Sequence, residues 1–256
     1  MSEVLDADLL SYGRKSVYFS NAVGTNYSTG TASVAASTGV VTGTGTTFTA
    51  AMVGGIFKHA GLSKGYLVSA YTSATQVTIV DQGDNTVYTG GAIAPDAADT
   101  TYVIYAATHA ATTKSTIYAD LLRVDAALNA QNVPRGNRFI VLNASAESVL
   151  KAAPEFIPAV QSAYSGVVER GVVGMIAGFK VVFSQLVDGN NTTGYWYLAG
   201  DKQFLSFASQ IMKVSVIPES SDPNSFVTTL KGLLVWGRKV CEENRKRGAV
   251  LRAVIS

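Results

Sequence analysis

The sequence predicts an α+β protein, and three observations support this fold class. Residues 116–131 carry apolar side chains at helical spacing. Residues 31–107 are rich in Thr, Ser, Gly and Ala and contain short alternating apolar runs, a pattern typical of β-strands. Apolar runs of strand length also recur after residue 138. A chain of 256 residues is long enough for one large or two modest domains with a sizeable core.

Composition excludes several classes of protein. Hydrophobic residues make up 47% of the chain and charged residues 15%, so the chain is not a disordered tail. No apolar run reaches the roughly 18 residues that a membrane-spanning helix needs. The N-terminal residues lack a signal-peptide pattern. Cys241 is the single cysteine, so no intrachain disulfide can form and a reducing compartment is expected.

Charge is distributed unevenly along the chain. Residues 1–107 contain four Lys/Arg against seven Asp/Glu, whereas residues 108–256 contain sixteen against eleven. The basic residues are concentrated near the C-terminus. They are Arg238, Lys239, Arg245, Lys246 and Arg247, with Arg252 nearby. Two interpretations stay open: a solvated face on the last strands, or a contact with DNA or with a neighbouring subunit.

The first 107 residues divide into an arm and a β-module. Residues 1–30 show poor periodicity, with a short strand predicted at 16–20, and we expect this arm to become ordered on another chain or domain. Residues 31–107 predict a small all-β module, with strands at 66–68, 76–80 and 101–105. Turn-forming residues separate the strands at 63–65, 83–85 and 95–96.

The clearest single prediction is a helix over residues 116–131. Ile117, Leu121, Val124 and Leu128 follow the i, i+4, i+7, i+11 spacing of one apolar stripe. Ser115 or Thr116 is expected to cap its N-terminus. Asn132 and Pro134 are expected to end it.

Residues 133–184 form the stretch around which we expect the rest to be organised. A Pro-Arg-Gly-Asn turn at 134–137 leads into a buried strand at 139–142. Ser145 is expected to cap a short helix, 146–152, which Pro154 and Pro158 stop. Gly178 is expected to turn the chain into a strand at 179–183.

The remaining C-terminal residues predict four further strands. Residues 194–198 and 204–208 are expected to be strands joined by a turn at 199–202. Residues 211–218 and 226–240 are expected to form two more strands.

From residue 113 to the C-terminus, the order of these pieces resembles the major capsid proteins of tailed bacteriophages, which share the Hong Kong 97-type fold. In that family a long helix ends at an Asn-Val-Pro turn, present here at Asn132 to Pro134. A strand of the type Arg-Phe-Ile-Val-Leu follows, here 138–142, and then a helix with a proline. An Ile-x-Gly-Phe segment, here 176–179, then leads into a strand that ends near Ser184.

The resemblance implies a division of the chain. Residues 1–30 would be the N-terminal arm, 31–107 a β-rich module at the position of the extended E-loop, and 108–138 the spine helix of the peripheral (P) domain. Residues 139–210 would form the axial (A) domain, and 211–256 the return strands of the P domain.

The resemblance also implies a function. The chain would be a major capsid protein that assembles with copies of itself, as pentamers and hexamers, into an icosahedral head shell around double-stranded DNA. Scaffolding and portal proteins would be partners, decoration proteins a further possibility, and DNA contact non-specific. The protein would be located in the virion, with assembly in the bacterial host cytoplasm. The alternative is another phage structural protein, such as a decoration, tail-tube or fibre component that uses the β-module.

The sequence predicts no enzyme, metal site or cofactor. No His/Cys cluster has zinc-ligand spacing and no Walker A loop is present. Residues 61–65 match the Gly-x-Ser-x-Gly nucleophile elbow around Ser63, with Asp81 and His109 following in hydrolase order. Because an elbow needs a helix after the serine and residues 66–70 predict a strand, we interpret this segment as a β-turn.

Overall fold

A computed structural model of the chain describes residues 2–35, 38–82, 97–154, 175–217 and 229–255. These residues contain three α-helices and eighteen strands. The strands form two eight-stranded sheets and one two-stranded ribbon. This mixture of helices and sheets is the α+β class that the sequence predicts. None of the helices in these ranges is long and apolar enough to cross a membrane. Strands and helices are numbered along the chain.

The first sheet, which we call the body, combines strands from the beginning, middle and end of the chain. Its main path runs β1 (Ala22–Val23), β18 (Gly248–Ile255), β15 (Gly194–Asp201), β11 (Arg138–Leu142), β13 (Phe179–Phe183) and β12 (Met175–Ile176). Two short strands complete it, β10 (Ala110–Thr112) beside β18 and β14 (Gly189–Asn190) beside β15. The sheet is mixed, since β18 is parallel to β1 and β10 but antiparallel to β15.

Both faces of the body sheet are buried at its centre. In β15, Tyr197 and Ala199 belong to a core cluster on one face, whereas Trp196 and Leu198 belong to a second cluster on the other face. A strand covered on both sides needs apolar residues at nearly every position, which explains the continuous apolar runs of β15 and β18. The predicted turn at 199–202 is therefore wrong in part, because β15 continues to Asp201 alongside β18.

Two helices cover the first face, α2 (Ile117–Ala130) and α3 (Ala144–Lys151). The bounds of α2 lie within one residue of the predicted helix at each end. Thr116 occupies the N-cap position of α2, but its hydroxyl accepts a hydrogen bond from the Thr113 backbone N–H and makes no bond to the helix.

A buried arginine fixes the corner between α2 and β11. The side chain of Arg138 is fully buried and forms an ion pair with Asp125 of α2. It also donates to the backbone carbonyls of Val133 and Pro134. Asn132 adopts a left-handed conformation (φ 56°), so the chain reverses sharply after the helix. One guanidinium thus ties the last turns of α2, the proline turn and the start of β11 together.

The cap of α3 differs from the sequence prediction. The helix spans Ala144–Lys151, and the side chain of Asn143, not Ser145, accepts a hydrogen bond from the Ala146 N–H at 2.9 Å. The same Asn143 oxygen accepts a hydrogen bond from the Tyr197 hydroxyl at 3.0 Å. Asn143 is buried at the N-cap position, so its side-chain oxygen binds both the helix N-terminus and Tyr197 of β15, whereas Ser145 lies within the helix. Pro158 lies outside the described residues.

The N-terminal arm is a helix, which corrects the prediction of an aperiodic segment with a strand at 16–20. Helix α1 spans Ser2–Lys15 and packs against β15 and β18, on the second face of the body. Leu5, Leu9 and Tyr12 are spaced as one helical stripe, a signal that the sequence analysis overlooked. Tyr12 is buried in the second cluster, so the arm becomes ordered on its own chain.

The module forms the second eight-stranded sheet, in which every pairing is antiparallel. In spatial order its strands are β2 (Thr25–Tyr27), β9 (Tyr102–Thr108), β5 (Ile56–His59), β6 (Tyr66–Ser73), β7 (Gln76–Val80), β4 (Val40–Thr44), β3 (Thr31–Val34) and β8 (Ala97–Thr100). This sheet begins six residues before the predicted limit of 31 and has its own core cluster. The predicted turns at 83–85 and 95–96 lie outside the described residues.

The module sheet curls on itself. Strand β8 lies at one end of the sheet and β9 next to the other end, yet only Thr101 separates them in sequence. The two ends must therefore approach each other, as in a β-barrel. The fully buried His59 of β5 confirms this closure, because its Nε2 donates to the carbonyl of Ala32 on β3 at 2.8 Å. Its Nδ1 accepts from the Gly61 N–H, which identifies the tautomer.

The third unit is a long antiparallel ribbon made by β16 (Ser206–Ile217) and β17 (Thr229–Lys239). Among the described residues, neither strand pairs with a strand of another sheet. At the base of the ribbon, Arg238 forms an ion pair with Asp8 of α1, and the Val240 N–H donates to the Tyr12 hydroxyl. The sequence predicts strands at 211–218 and 226–240 but not their isolation from the other sheets.

The boundary at residue 210, which the resemblance implies between the A domain and the return strands, falls inside strand β16 and does not separate two sheets. Strand β18, placed with the return strands by the sequence, pairs along its length with β15 in the body. Helix α2 packs on the same body core as β11 and β13. Segment 211–256 is thus split, because its first part forms the ribbon and its last strand completes the body.

We expect Arg138→Ala to destabilise the fold by about 3–5 kcal/mol, because Asp125 loses its buried ion-pair partner and two carbonyls lose their donor. Arg135→Ala is the matched control. Arg135 lies 3.6 Å from the same carboxylate, but its side chain is 72% exposed, so a loss of about 0–1 kcal/mol is expected. Chemical denaturation of both variants measures the difference. Equal losses would contradict the assignment of Arg138 as the tie at this corner.

Burial raises the pKa of the Tyr197 hydroxyl above its ordinary value. A pKa that is higher in the folded state means that stability from this group is present below about pH 10 and is lost as the pH rises further. Tyr197→Phe should therefore weaken the alkaline decline of the unfolding free energy, at a cost near neutral pH of about 0.5–1.5 kcal/mol for the lost hydrogen bond. Urea titrations at neutral and alkaline pH test this, with Tyr118→Phe as the control. An unchanged alkaline slope would refute it.

Candidate functional site

The apolar stripe of α2 is buried against its own body. Ile117, Leu121, Val124 and Leu128 are each at most 2% exposed and belong to the cluster on the first face of the body. The stripe therefore holds the helix in place and is not a contact surface for another chain. The outer side of α2 presents Leu122, which is 43% exposed.

Three of the five basic residues singled out in the sequence face a carboxylate of the same chain. Arg247 lies 2.9 Å from Asp201, and Arg245 lies 3.3 Å from Glu242. Arg238 pairs with Asp8, as described above. These pairs neutralise part of the basic cluster and tie β17 and the turn before β18 to the rest of the fold.

Two lysines remain at the surface of this region. Lys239, at the end of β17, is exposed. Lys246 is also exposed, and its ammonium lies 5.4 Å from the centre of the Tyr18 ring. Within the basic cluster these two ammonium groups are the ones best placed to meet a polyanion or an acidic partner.

Exposed large apolar side chains mark further candidate contact surfaces. On the ribbon, Phe207 is 42% and Val235 is 47% exposed. At the end of the body sheet, Met175 of β12 and Val182 of β13 are also exposed. Together with the outer side of α2, Val4 of α1 and Tyr71 of β6, these places offer apolar area to a second molecule.

Sequence reasoning missed two arginines that hold the interior together. Arg138 and Arg252 are the largest of the fully buried side chains in the described residues. Arg252 interrupts the apolar run of β18 and Arg138 opens that of β11, and these positions are the signal that the sequence offered. A cation can stand in such a strand only where acceptors satisfy its donors.

The nucleophile-elbow pattern has no helix after its serine. Ser63 lies in the loop between β5 and β6, and the chain continues directly into a strand. The hydrogen-bonded turn lies at 59–62, just before Ser63, and Ser63 itself lies in a bend. Among the described residues, no group of three or more His, Cys, Asp or Glu side chains lies together as a possible metal site.

Comparisons with known proteins give little further information. No protein-family model matches the chain, and no curated protein matches it. One solved structure, from Mycobacterium phage Che8, is similar at a TM-score of 0.44 and 22% sequence identity. The likeness covers 56% of this chain and 52% of the phage chain, so this chain spans about half the length of that structure. A likeness of this size does not assign a fold family or a function.

Proposed function

We propose that this chain is a phage structural protein, and specifically the major capsid protein of an icosahedral head that encloses double-stranded DNA. The observation that carries the proposal is the order of elements over residues 117–183. An amphipathic helix, an Asn-Val-Pro turn, a buried strand, a short helix and an Ala-Gly turn into a second strand follow each other as in the capsid family.

The surfaces of the molecule support a role in assembly. The ribbon is long, and a two-stranded antiparallel ribbon on its own is marginally stable in water. Its base is fastened to α1 by Arg238, and it carries the exposed side chains Phe207 and Val235. Shell proteins must bury complementary surfaces between copies, and such a ribbon suits contact with a neighbour.

The fold also provides the stiffness that a shell subunit needs. The α2–β11 corner is fixed by a buried ion pair, and the body sheet is covered on both faces. A closed shell repeats one subunit geometry many times, so a small angular change in the subunit is repeated at every contact. In this proposal the protein has no catalytic role and needs no cofactor.

The second candidate function is a decoration, tail-tube or fibre component. One observation favours it: the module has its own curled sheet and its own core, as expected of a unit that can be presented on a surface. The two candidates differ in what the purified chain does alone. A shell protein, with or without its scaffolding protein, forms closed particles, whereas a decoration protein binds to particles that already exist. Electron microscopy of the purified protein distinguishes them.

We expect Ala127→Pro to abolish normal shells. Proline inside α2 costs about 3 kcal/mol or more and bends the helix axis. Arg123→Lys, an exposed change on the same helix, is the matched control and should assemble normally. Sedimentation and electron microscopy of both variants beside the wild type measure the outcome. Shells of normal size and yield from Ala127→Pro would remove the main support for the capsid proposal.

The exposed lysines predict a salt-dependent contact with DNA. Removing both ammonium groups in Lys239→Ala/Lys246→Ala should weaken binding of the protein to double-stranded DNA. It should also reduce the dependence of log K on log salt by about 0.9 per lost phosphate contact. The control is Lys64→Ala/Lys202→Ala, which removes two exposed lysines elsewhere. If both double variants bind DNA equally well, the basic cluster is only a solvated face.

A further inference from the structure

Arg252 of β18 is a buried cation held by backbone carbonyls. It is 1% exposed, and all five of its N–H donors are matched by hydrogen bonds. Nη1 donates to the carbonyls of Ala106 and Ala107 at 3.0 and 2.7 Å. Nη2 donates to Ala51 at 2.7 Å and to Thr193 at 2.9 Å, and Nε donates to Thr193 at 3.1 Å.

These carbonyls come from two different parts of the fold. Ala51 lies in the short 3-10 turn Ala50–Met52 of the module, and Ala106 and Ala107 lie at the end of module strand β9. Thr193 lies in the body, directly before β15. One guanidinium on the last strand of the body therefore connects module and body.

The backbone is bent to build this cage. Ala106 has a positive φ of 48°, which is unfavourable for a residue with a side chain. Gly194 has a φ of 88°, and a Cβ there would come within 3.4 Å of the Arg252 Cγ. The arginine also lies over the Trp196 ring, 4.5 Å from its centroid. The site is thus shaped around a planar cation.

No carboxylate takes part in the five hydrogen bonds, so carbonyl dipoles and the Trp196 ring hold the charge. Burial, with the nearby Arg14 as a second cause, lowers the pKa of Arg252 to about 10, and the group stays charged at neutral pH. Without the guanidinium, four backbone carbonyls would lose this donor, and the two buried ones, those of Ala106 and Ala107, would carry a desolvation penalty.

The chain enters and leaves the module on either side of this residue. Strand β1, which precedes the module, pairs in parallel with Val250 and Leu251. Strand β10, which follows the module, pairs in parallel with Ala253, Val254 and Ile255. Arg252 stands between the two paired segments. Strand β18 therefore pairs with both segments that connect the module to the body, and it also carries the arginine that binds the module's carbonyls.

We propose that Arg252 fastens the module to the body. Its guanidinium, carried by strand β18, occupies a cage of backbone carbonyls that is specific for guanidinium. When the guanidinium is absent, the joint at residues 50–54 and 104–108 opens, while the module sheet stays folded. The inference does not depend on whether the chain forms a shell.

The test uses the full-length chain with Arg252→Ala, which removes the guanidinium and leaves room for a free one. The expected result is faster amide hydrogen exchange at residues 50–54 and 104–108, with exchange inside the module sheet unchanged, and two thermal transitions in place of one. Millimolar guanidinium, far below denaturing concentrations, should restore protection at the joint, whereas equal tetramethylammonium should not. Arg135→Ala, which removes an arginine whose side chain is 72% exposed, should show neither the loss nor the response to guanidinium.

Two results would overturn the proposal. One is wild-type exchange at the joint in Arg252→Ala. The other is increased exchange that free guanidinium does not reverse. If Arg252→Ala fails to fold, refolding yield becomes the readout, and recovery by guanidinium but not by tetramethylammonium supports the proposal while no recovery rejects it. Arg252→Lys, which keeps the charge but at most three donors, should fall between the wild type and Arg252→Ala.

Discussion

The C-terminal strand β18 is the constraint on which the rest of the structure depends. It pairs with β15 over six residues, with β1 before the module and with β10 after it. Its side chains alternate between the two faces, so Ala249 and Leu251 fill the core under α2 and α3, while Val250 fills the core under α1. Every major unit except the ribbon therefore makes backbone or core contact with residues 248–255. A sheet assembled in this way is complete only when β18 is in place.

Buried polar groups hold the other joints of the molecule. Asn21 donates to the carbonyls of Lys246 and Gly248, which fixes the start of β18 against the end of the arm. Gln82, which follows module strand β7, donates a hydrogen bond to the carbonyl of Val17 and accepts one from Arg245. These bonds anchor this part of the module to the body. Buried donors and acceptors of this kind cost little when every partner is present and much when one is missing. They define the positions of elements that apolar contacts alone would leave adjustable.

This arrangement gives the proposed shell function a physical basis. A subunit that repeats many times needs elements whose angles do not drift, and here the angles are set by hydrogen-bonded joints between packed units. Among the described residues, the surfaces that offer apolar contacts to partners include the exposed parts of the ribbon, the β12–β13 edge and the outer side of α2. The basic cluster contributes less than its composition suggests, because intramolecular carboxylates occupy Arg238, Arg245 and Arg247.

The sequence by itself determined the local elements whose signal is short-range. The α2 stripe, the Asn-Val-Pro turn, the strand at 139–142 and the Ala-Gly turn at Gly178 follow from side-chain spacing and from the backbone preferences of proline and glycine. Helix α1 was also within reach through its Leu5, Leu9 and Tyr12 spacing. Only the tertiary structure decided which strands pair, that β18 joins both connections of the module, and that Arg138 and Arg252 lie inside. Arg138 pairs with a carboxylate 13 residues away and Arg252 with a carbonyl 201 residues away along the chain, and no local pattern specifies which acceptor will face a buried guanidinium.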